Sequence, residues 1–145
     1  MNKINIVCVG KIKEKFYTDA VNEYLKRMSR FAKVTVTELP ERENPEKECD
    51  SILKALKGYV IVLAVEGEKA GSVSLAQKIK DLLDSGKEIT LVIGSSCGLD
   101  RRVKSAGDWL LSFSDMTFPH QLMRVILCEQ LYRAFMINAG SEYHK

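Results

Sequence analysis

The sequence predicts an α/β fold with a mainly parallel sheet of five or six strands and helices on both faces. Short β-branched runs alternate with longer amphipathic segments along the whole chain, the pattern of a sheet wound with crossover helices. The run Tyr59 to Val65 is apolar on both faces, as an interior parallel strand is. The length of 145 residues, with 46% hydrophobic and 28% charged, suits one domain spanning residues 1–145.

In chain order, Ile4 to Val9 reads as the first strand. A helix follows from about Phe16 to Arg30, with Phe16, Ala20, Tyr24 and Met28 on its apolar stripe. The second strand, Lys33 to Leu39, stops at Pro40. The acidic stretch Glu41 to Asp50 reads as a loop leading into a short helix that ends near Lys57 and is closed by Gly58. Tyr59 to Val65 is the third strand. Ser74 and Gln77 have capping-box spacing for a helix through Asp84, which Gly86 would stop. Ile89 to Ile93 is the fourth strand, and the glycine-flanked loop 94–98 leads into a short helix near Asp100. Trp109 to Ser112 is the fifth strand. Pro119 suits the first turn of a long last helix reaching Asn138.

That last helix is apolar around most of its circumference, from Leu122 and Met123 through Ile137, so it must be covered on more than one side. In so small a domain the sheet can cover one side, and a second copy of the helix in a two-fold dimer is the expected cover for the other, ahead of a central position within one chain.

Composition excludes several classes. No apolar run approaches membrane-spanning length, and no leader pattern opens the chain, so a soluble, cytoplasmic protein without a membrane partner is expected. The net charge of +3 conceals an uneven distribution. Residues 1–33 carry eight Lys or Arg against three acids, and residues 34–50 carry two against six. Lys11, Lys13, Lys15, Lys26, Arg27, Arg30 and Lys33 can form one basic surface for nucleic acid or a solvated helix face. Cys8, Cys49, Cys97 and Cys128 have neither C-x-x-C spacing nor a close histidine, so no metal site is expected. Cys8 and Cys128 read as small core residues.

In a parallel sheet, chemistry sits beyond the carboxyl ends of the strands. The first loop lacks the dinucleotide glycine spacing, and no phosphate-loop lysine motif occurs. The glycines at 94 and 98 allow close backbone approach to a ligand. The segment Ser112 to His120 offers hydroxyls, amides, two aromatic rings and a histidine at a helix start, as a purine or nucleoside site requires. His120, at a positive helix terminus, is expected to have a lowered pKa. The tail Gly140 to Lys145 would ordinarily fray, yet it gathers Tyr143, His144 and Lys145 where they could reach a partner's loop.

These residues resemble a known family. The opening Ile4 to Lys11 with Lys13-Glu14, the Leu91-Val92-Ile93-Gly94 strand end, and the runs LSFSDMTFPHQLMR (Leu111 to Arg124) and VILCEQLYRAFMI (Val125 to Ile137) are similar to the ribosomal RNA large-subunit methyltransferase H family of the SPOUT superfamily. So is the terminal Tyr143-His144-Lys145. The resemblance spans essentially the whole chain. It implies a C-terminal trefoil knot, a homodimer, and S-adenosylmethionine (SAM) as cofactor. The implied substrate is N3 of a pseudouridine in 23S ribosomal RNA (position 1915 type), on the assembled ribosome. Carried over by position, cofactor contacts fall at Leu63, Gly94, Phe113, Ser114, Asp115, Met116, Thr117 and Phe118. Tyr143, His144 and Lys145 would complete the partner's active site. Arg124 and Lys145 are candidates to stabilise the developing anion or grip phosphate, and His144 and His120 to accept the proton. Ser95 stands where the family usually has glycine, Cys97 where it often has another polar residue, and Ala139 where it often has arginine. Methylation of another RNA such as tRNA, and a non-catalytic nucleotide- or ribosome-binding module, are the competing readings.

Overall fold

The computed structural model describes residues 1–94 and 100–145. The expectations for Ser95, Cys97 and Gly98 lie outside the described residues. Five strands, β1 (Lys3–Val9), β2 (Lys33–Leu39), β3 (Tyr59–Lys69), β4 (Ile89–Ile93) and β5 (Trp109–Ser112), form one sheet in the order β2-β1-β4-β3-β5, and every pairing is parallel. The helices are α1 (Lys15–Met28), α2 (Pro45–Ala55), α3 (Ser72–Asp84), α4 (Arg101–Ala106) and α5 (His120–Asn138).

Alternating side chains of the strands divide the interior into two layers. Ile4, Ile6 and Cys8 of β1, with Ile89, Leu91 and Ile93 of β4, pack under α1, α3 and α5. Val9, Val60, Val62 and Val92 face the opposite side and meet Cys49 and Ile52 of α2 and Val103 of α4. All five residues of β4 are buried, as expected for the central strand. Among the described residues no helix is long and apolar enough to cross a membrane.

Several local expectations are corrected. The inward stripe of α1 is Tyr17, Val21, Tyr24 and Met28, and Phe16 is 62% exposed, because the helix is rotated by about one residue from the predicted face. The acidic stretch is already helical from Pro45, since the Asn44 side chain accepts the Glu46 N–H at 2.9 Å and Pro45 occupies the first turn. The Ser74–Gln77 capping box does not form. Helix α3 starts three residues earlier, at Ser72 with Gly71 as its N-cap, and Gln77 donates instead to Asp81 at 2.8 Å. Pro119 is the N-cap of α5 rather than its first residue.

Helix α5 lies between α1 and α3, its Leu127, Cys128, Leu131, Ala134 and Phe135 buried. The central position therefore accounts for much of its apolar surface. Leu122, Val125 and Ile126 remain half-buried.

The junction between α2 and β3 is tight. Gly58 has φ +66°, and a Cβ there would stand 2.0 Å from the Glu88 carbonyl oxygen, beside the hydrogen bond from Tyr59 N–H to that oxygen at 2.8 Å. Gly58→Ala combines left-handed strain with a backbone clash and should lower stability by about 3 kcal/mol, read from urea unfolding midpoints.

Candidate functional site

The carboxyl ends of β3, β4 and β5 open into a cavity of about 900 Å³. Pairing between β3 and β5 slips between Leu63 and Glu68, and this irregularity turns Ala64, Val65 and Glu66 to the cavity. Leu63, Ile93, Gly94, Leu111 and Phe113 line the interior, and the segment after β5 contributes Ser114, Met116, Thr117 and Phe118. His120 adds an imidazole at the start of α5. Seven of the eight carried-over cofactor residues therefore line one cavity. Asp115 is not on that lining and forms an ion pair with Lys69 instead. Ser114 Oγ accepts the Met116 N–H at 3.0 Å, and Ser112 Oγ donates to the Ser114 carbonyl at 3.0 Å, so the segment after β5 is self-braced.

The opposite wall comes from the segment after β1, with Lys13, Glu14 and Tyr17. Gly10 turns the chain at φ +85° and is tied to β2 through its N–H to the Leu39 carbonyl at 2.7 Å. Helix α5 holds the rest. Gln121 Oε1 accepts the Lys13 N–H at 3.1 Å, and Gln121 Nε2 donates to the Lys11 carbonyl at 3.3 Å. One turn on, Arg124 is 2% exposed and donates to the carbonyls of Val9 (2.9 Å) and Gly10 (2.7 Å) and to Glu38 of β2 (2.7 Å). Glu38 also accepts the Ile12 N–H at 3.0 Å. The Q-x-x-R spacing thus places two side chains on one helix face to clamp one loop.

Arg124 is absent from the cavity lining and holds the backbone with the guanidinium that the sequence offers as a candidate for the developing anion or phosphate. Its guanidinium is used on backbone carbonyls that would otherwise be buried without partners. Its Nε is the one buried side-chain nitrogen or oxygen without a partner among the described residues.

Burial, and next the positive charge of Arg124, hold the His120 imidazole below its ordinary value of 6.5, while Glu41 opposes weakly. The direction agrees with expectation, but the main cause is desolvation. The neutral ring has one nitrogen able to accept a proton. Glu66 and Lys104 form an ion pair at the cavity edge, and the Lys104 ammonium holds the Glu66 carboxyl below the usual range. Nothing local in sequence pointed to this pair, because it depends on the β3 irregularity and on where α4 packs. Tyr17, Glu14 and Gln121 were also missed as site residues, although Lys13-Glu14 and the glutamine lay within the motifs.

The tail is not frayed. Gly140 takes φ +74° after α5, with its N–H on the Ile137 carbonyl (3.0 Å) and the Ser141 N–H on Met136 (3.0 Å), which folds the chain back along the helix. Tyr143 donates its hydroxyl to Glu129 at 2.8 Å and stacks edge-on with Tyr132 at 4.9 Å. Arg133 joins Glu129 at 2.9 Å, lies over the Tyr143 ring, and stands 3.0 Å from His144 Nδ1. Burial first, and the hydrogen bond to Glu129 second, push the Tyr143 phenol up to about 12. Tyr143, His144 and Lys145 are absent from the lining of this chain's own cavity. Burial likewise raises the Cys8 and Cys128 thiols to about 11 and about 12, which marks them as core groups and not nucleophiles.

Arg124→Met should cost about 3 kcal/mol of unfolding free energy, since it strands two carbonyls and a partly buried carboxylate; chemical denaturation measures it. His120 should titrate below 6.5 by NMR. The folded chain then binds fewer protons than the unfolded chain, so this contribution is intact above 6.5 and is lost as pH falls through the folded-state value.

Residues 2–144 match the family described as "Predicted SPOUT methyltransferase". The chain is 48% identical over 157 aligned positions to "Ribosomal RNA large subunit methyltransferase H" of Lactobacillus helveticus, covering 98% of this chain and 99% of that one. It is also 48% identical over 158 positions to the protein of that name from Bifidobacterium adolescentis, covering 99% of each. A crystal structure of a methylase family protein from Neisseria gonorrhoeae shares the fold at TM-score 0.55 and 12% identity, over 90% of this chain and 82% of that one. With its parallel sheet, its cavity beyond the strand ends and nearly all of its length within the family match, this chain is a member of the SPOUT methyltransferase family.

Proposed function

We propose that the protein is a SAM-dependent methyltransferase acting on N3 of a pseudouridine in 23S ribosomal RNA, in the cytoplasm, on the assembled ribosome. The observation that carries this reading is the single cavity formed by residues expected for the cofactor, in a chain similar along its length to relatives named for ribosomal RNA methylation. The cavity suits the cofactor chemically. Leu63, Ile93, Leu111, Phe113 and Phe118 offer an apolar wall for a purine, and Lys13, Lys104, Glu14 and Glu66 offer partners for a zwitterionic amino-acid moiety. Bound SAM supplies an electrophilic methyl group on a sulfonium.

The chain's own groups supply position and proton transfer. His120 is the imidazole base available within one chain, because it lines the cavity and its neutral form is favoured. His144 could serve only in another subunit's cavity, held there by the Glu129–Arg133–Tyr143 cluster. The homodimer, the trefoil knot and completion of one site by the partner's tail belong to this proposal. The half-buried Leu122, Val125 and Ile126 support an α5 interface.

Tritiated methyl transfer to ribosomes lacking the modification tests the reading. Wild type should label 23S RNA, and removal of residues 143–145 should lower labelling at least a hundredfold while the fold persists. Label appearing only on free tRNA would refute the ribosomal substrate, and no SAM binding by calorimetry would refute the enzyme. His120→Asn should reduce kcat about a hundredfold and abolish the acidic limb of the pH–rate profile; an unchanged profile would exclude His120 as the base.

A further inference from the structure

Phe16 breaks the pattern of its helix. It is the second residue of α1 and 62% exposed, off the Tyr17–Val21–Tyr24–Met28 stripe, so core packing does not explain it. Its ring lies 4.5 Å from that of Tyr17, tilted by 59°, and Tyr17 lines the cavity. The pair therefore runs from the cavity wall out to solvent. Two other apolar side chains on the cavity lining are also strongly exposed, Val65 at 52% and Met116 at 72%. Exposed Lys11 and Lys13 stand just before the aromatic pair, on backbone that Gln121 and Glu38 hold in place.

An exposed ring next to a half-buried one, preceded in the chain by two exposed lysines on a fixed backbone, matches what unpaired RNA presents, a base face next to a phosphate. The flanking charge favours a polyanion over an apolar peptide or a second copy of this chain. We propose that Phe16 and Tyr17 form a stacking wall for nucleobases of the RNA substrate, with Lys11 and Lys13 on the adjoining phosphates. This rests on the RNA methyltransferase reading and extends it by naming where unpaired bases are held. Tyr17 stacks at the cavity wall and Phe16 takes a neighbouring base outside it. The Gln121–Arg124–Glu38 clamp fixes the wall relative to the cofactor segment after β5.

The test compares wild type with Phe16→Ala, Tyr17→Ala, Phe16→Trp and Tyr17→Phe on unmodified ribosomes, with SAM affinity measured by calorimetry on each protein. Both alanine variants should raise KM for ribosomes at least fivefold, Phe16→Ala, which lies off the cavity lining, should keep SAM Kd within twofold of wild type, and the aromatic replacements should restore KM. A KM within twofold of wild type in both alanine variants overturns the proposal. So does a SAM Kd of Phe16→Ala that rises in step with its KM, which would assign the rings to the cofactor. If wild type transfers no methyl group, the methylation reading fails on its own. Co-sedimentation with the same ribosomes then decides the stacking wall: weaker sedimentation of Phe16→Ala supports it, and equal sedimentation overturns it.

Discussion

Arg124 fixes the relation between the two halves of the site. One guanidinium, almost wholly out of water, joins the last helix to the carboxyl end of β1 and, through Glu38, to the edge strand β2. Burying such a cation is unfavourable unless acceptors meet its terminal nitrogens. The fold meets that condition with carbonyls freed where β1 ends and the chain turns at Gly10. Without this bond, the segment bearing Lys13 and Tyr17 would be an ordinary mobile strand-to-helix connection. With it, that segment faces the residues after β5 across a cavity of set width. Gln121, one turn earlier, keeps the same registration through neutral hydrogen bonds.

The sheet was legible because its period-2 and apolar runs are strong, and four of five strands begin and end within a residue or two of expectation. The third strand is the exception, extending to Lys69 because its irregular stretch keeps pairing with β5 beyond Val65. Helix starts were less legible. Ser74 and Gln77 have the spacing of a cap, but packing of Ser72 on Gln130 across α3 and α5 moved the start upstream. Gly94 and the segment 113–118 could be named because they lie in contiguous motifs, although Asp115 is off the cavity lining, and Leu63 was carried over by position alone. Arg124 ends a family motif and carries a charge that an anion or phosphate could use; that its partners are carbonyls more than a hundred residues away is a tertiary fact. Glu66 and Lys104 carry no local signal at all.

Electrostatics divide the molecule by task. The cavity edge holds both signs, in Lys13, Glu14, Glu66 and Lys104, which suits a zwitterion better than a simple anion. The outer face of α1 pairs part of its charge internally, through Lys15–Asp19 and Arg27–Glu23, and such exposed pairs add little stability. Their effect is to temper the basic face, leaving Lys11 and Lys13 as exposed cations on the segment after β1, with Lys13 on the cavity lining.

The folded-back C-terminus has a thermodynamic consequence. Its aromatic ring is packed on Tyr132 and its hydroxyl is bonded to Glu129 before any other molecule arrives. Ordering a free five-residue end would cost on the order of 1–2 kcal/mol per residue at the moment of association. Here that entropy is already lost during folding of α5, so a second subunit would meet a preformed edge, and its assembly would be correspondingly less sensitive to temperature.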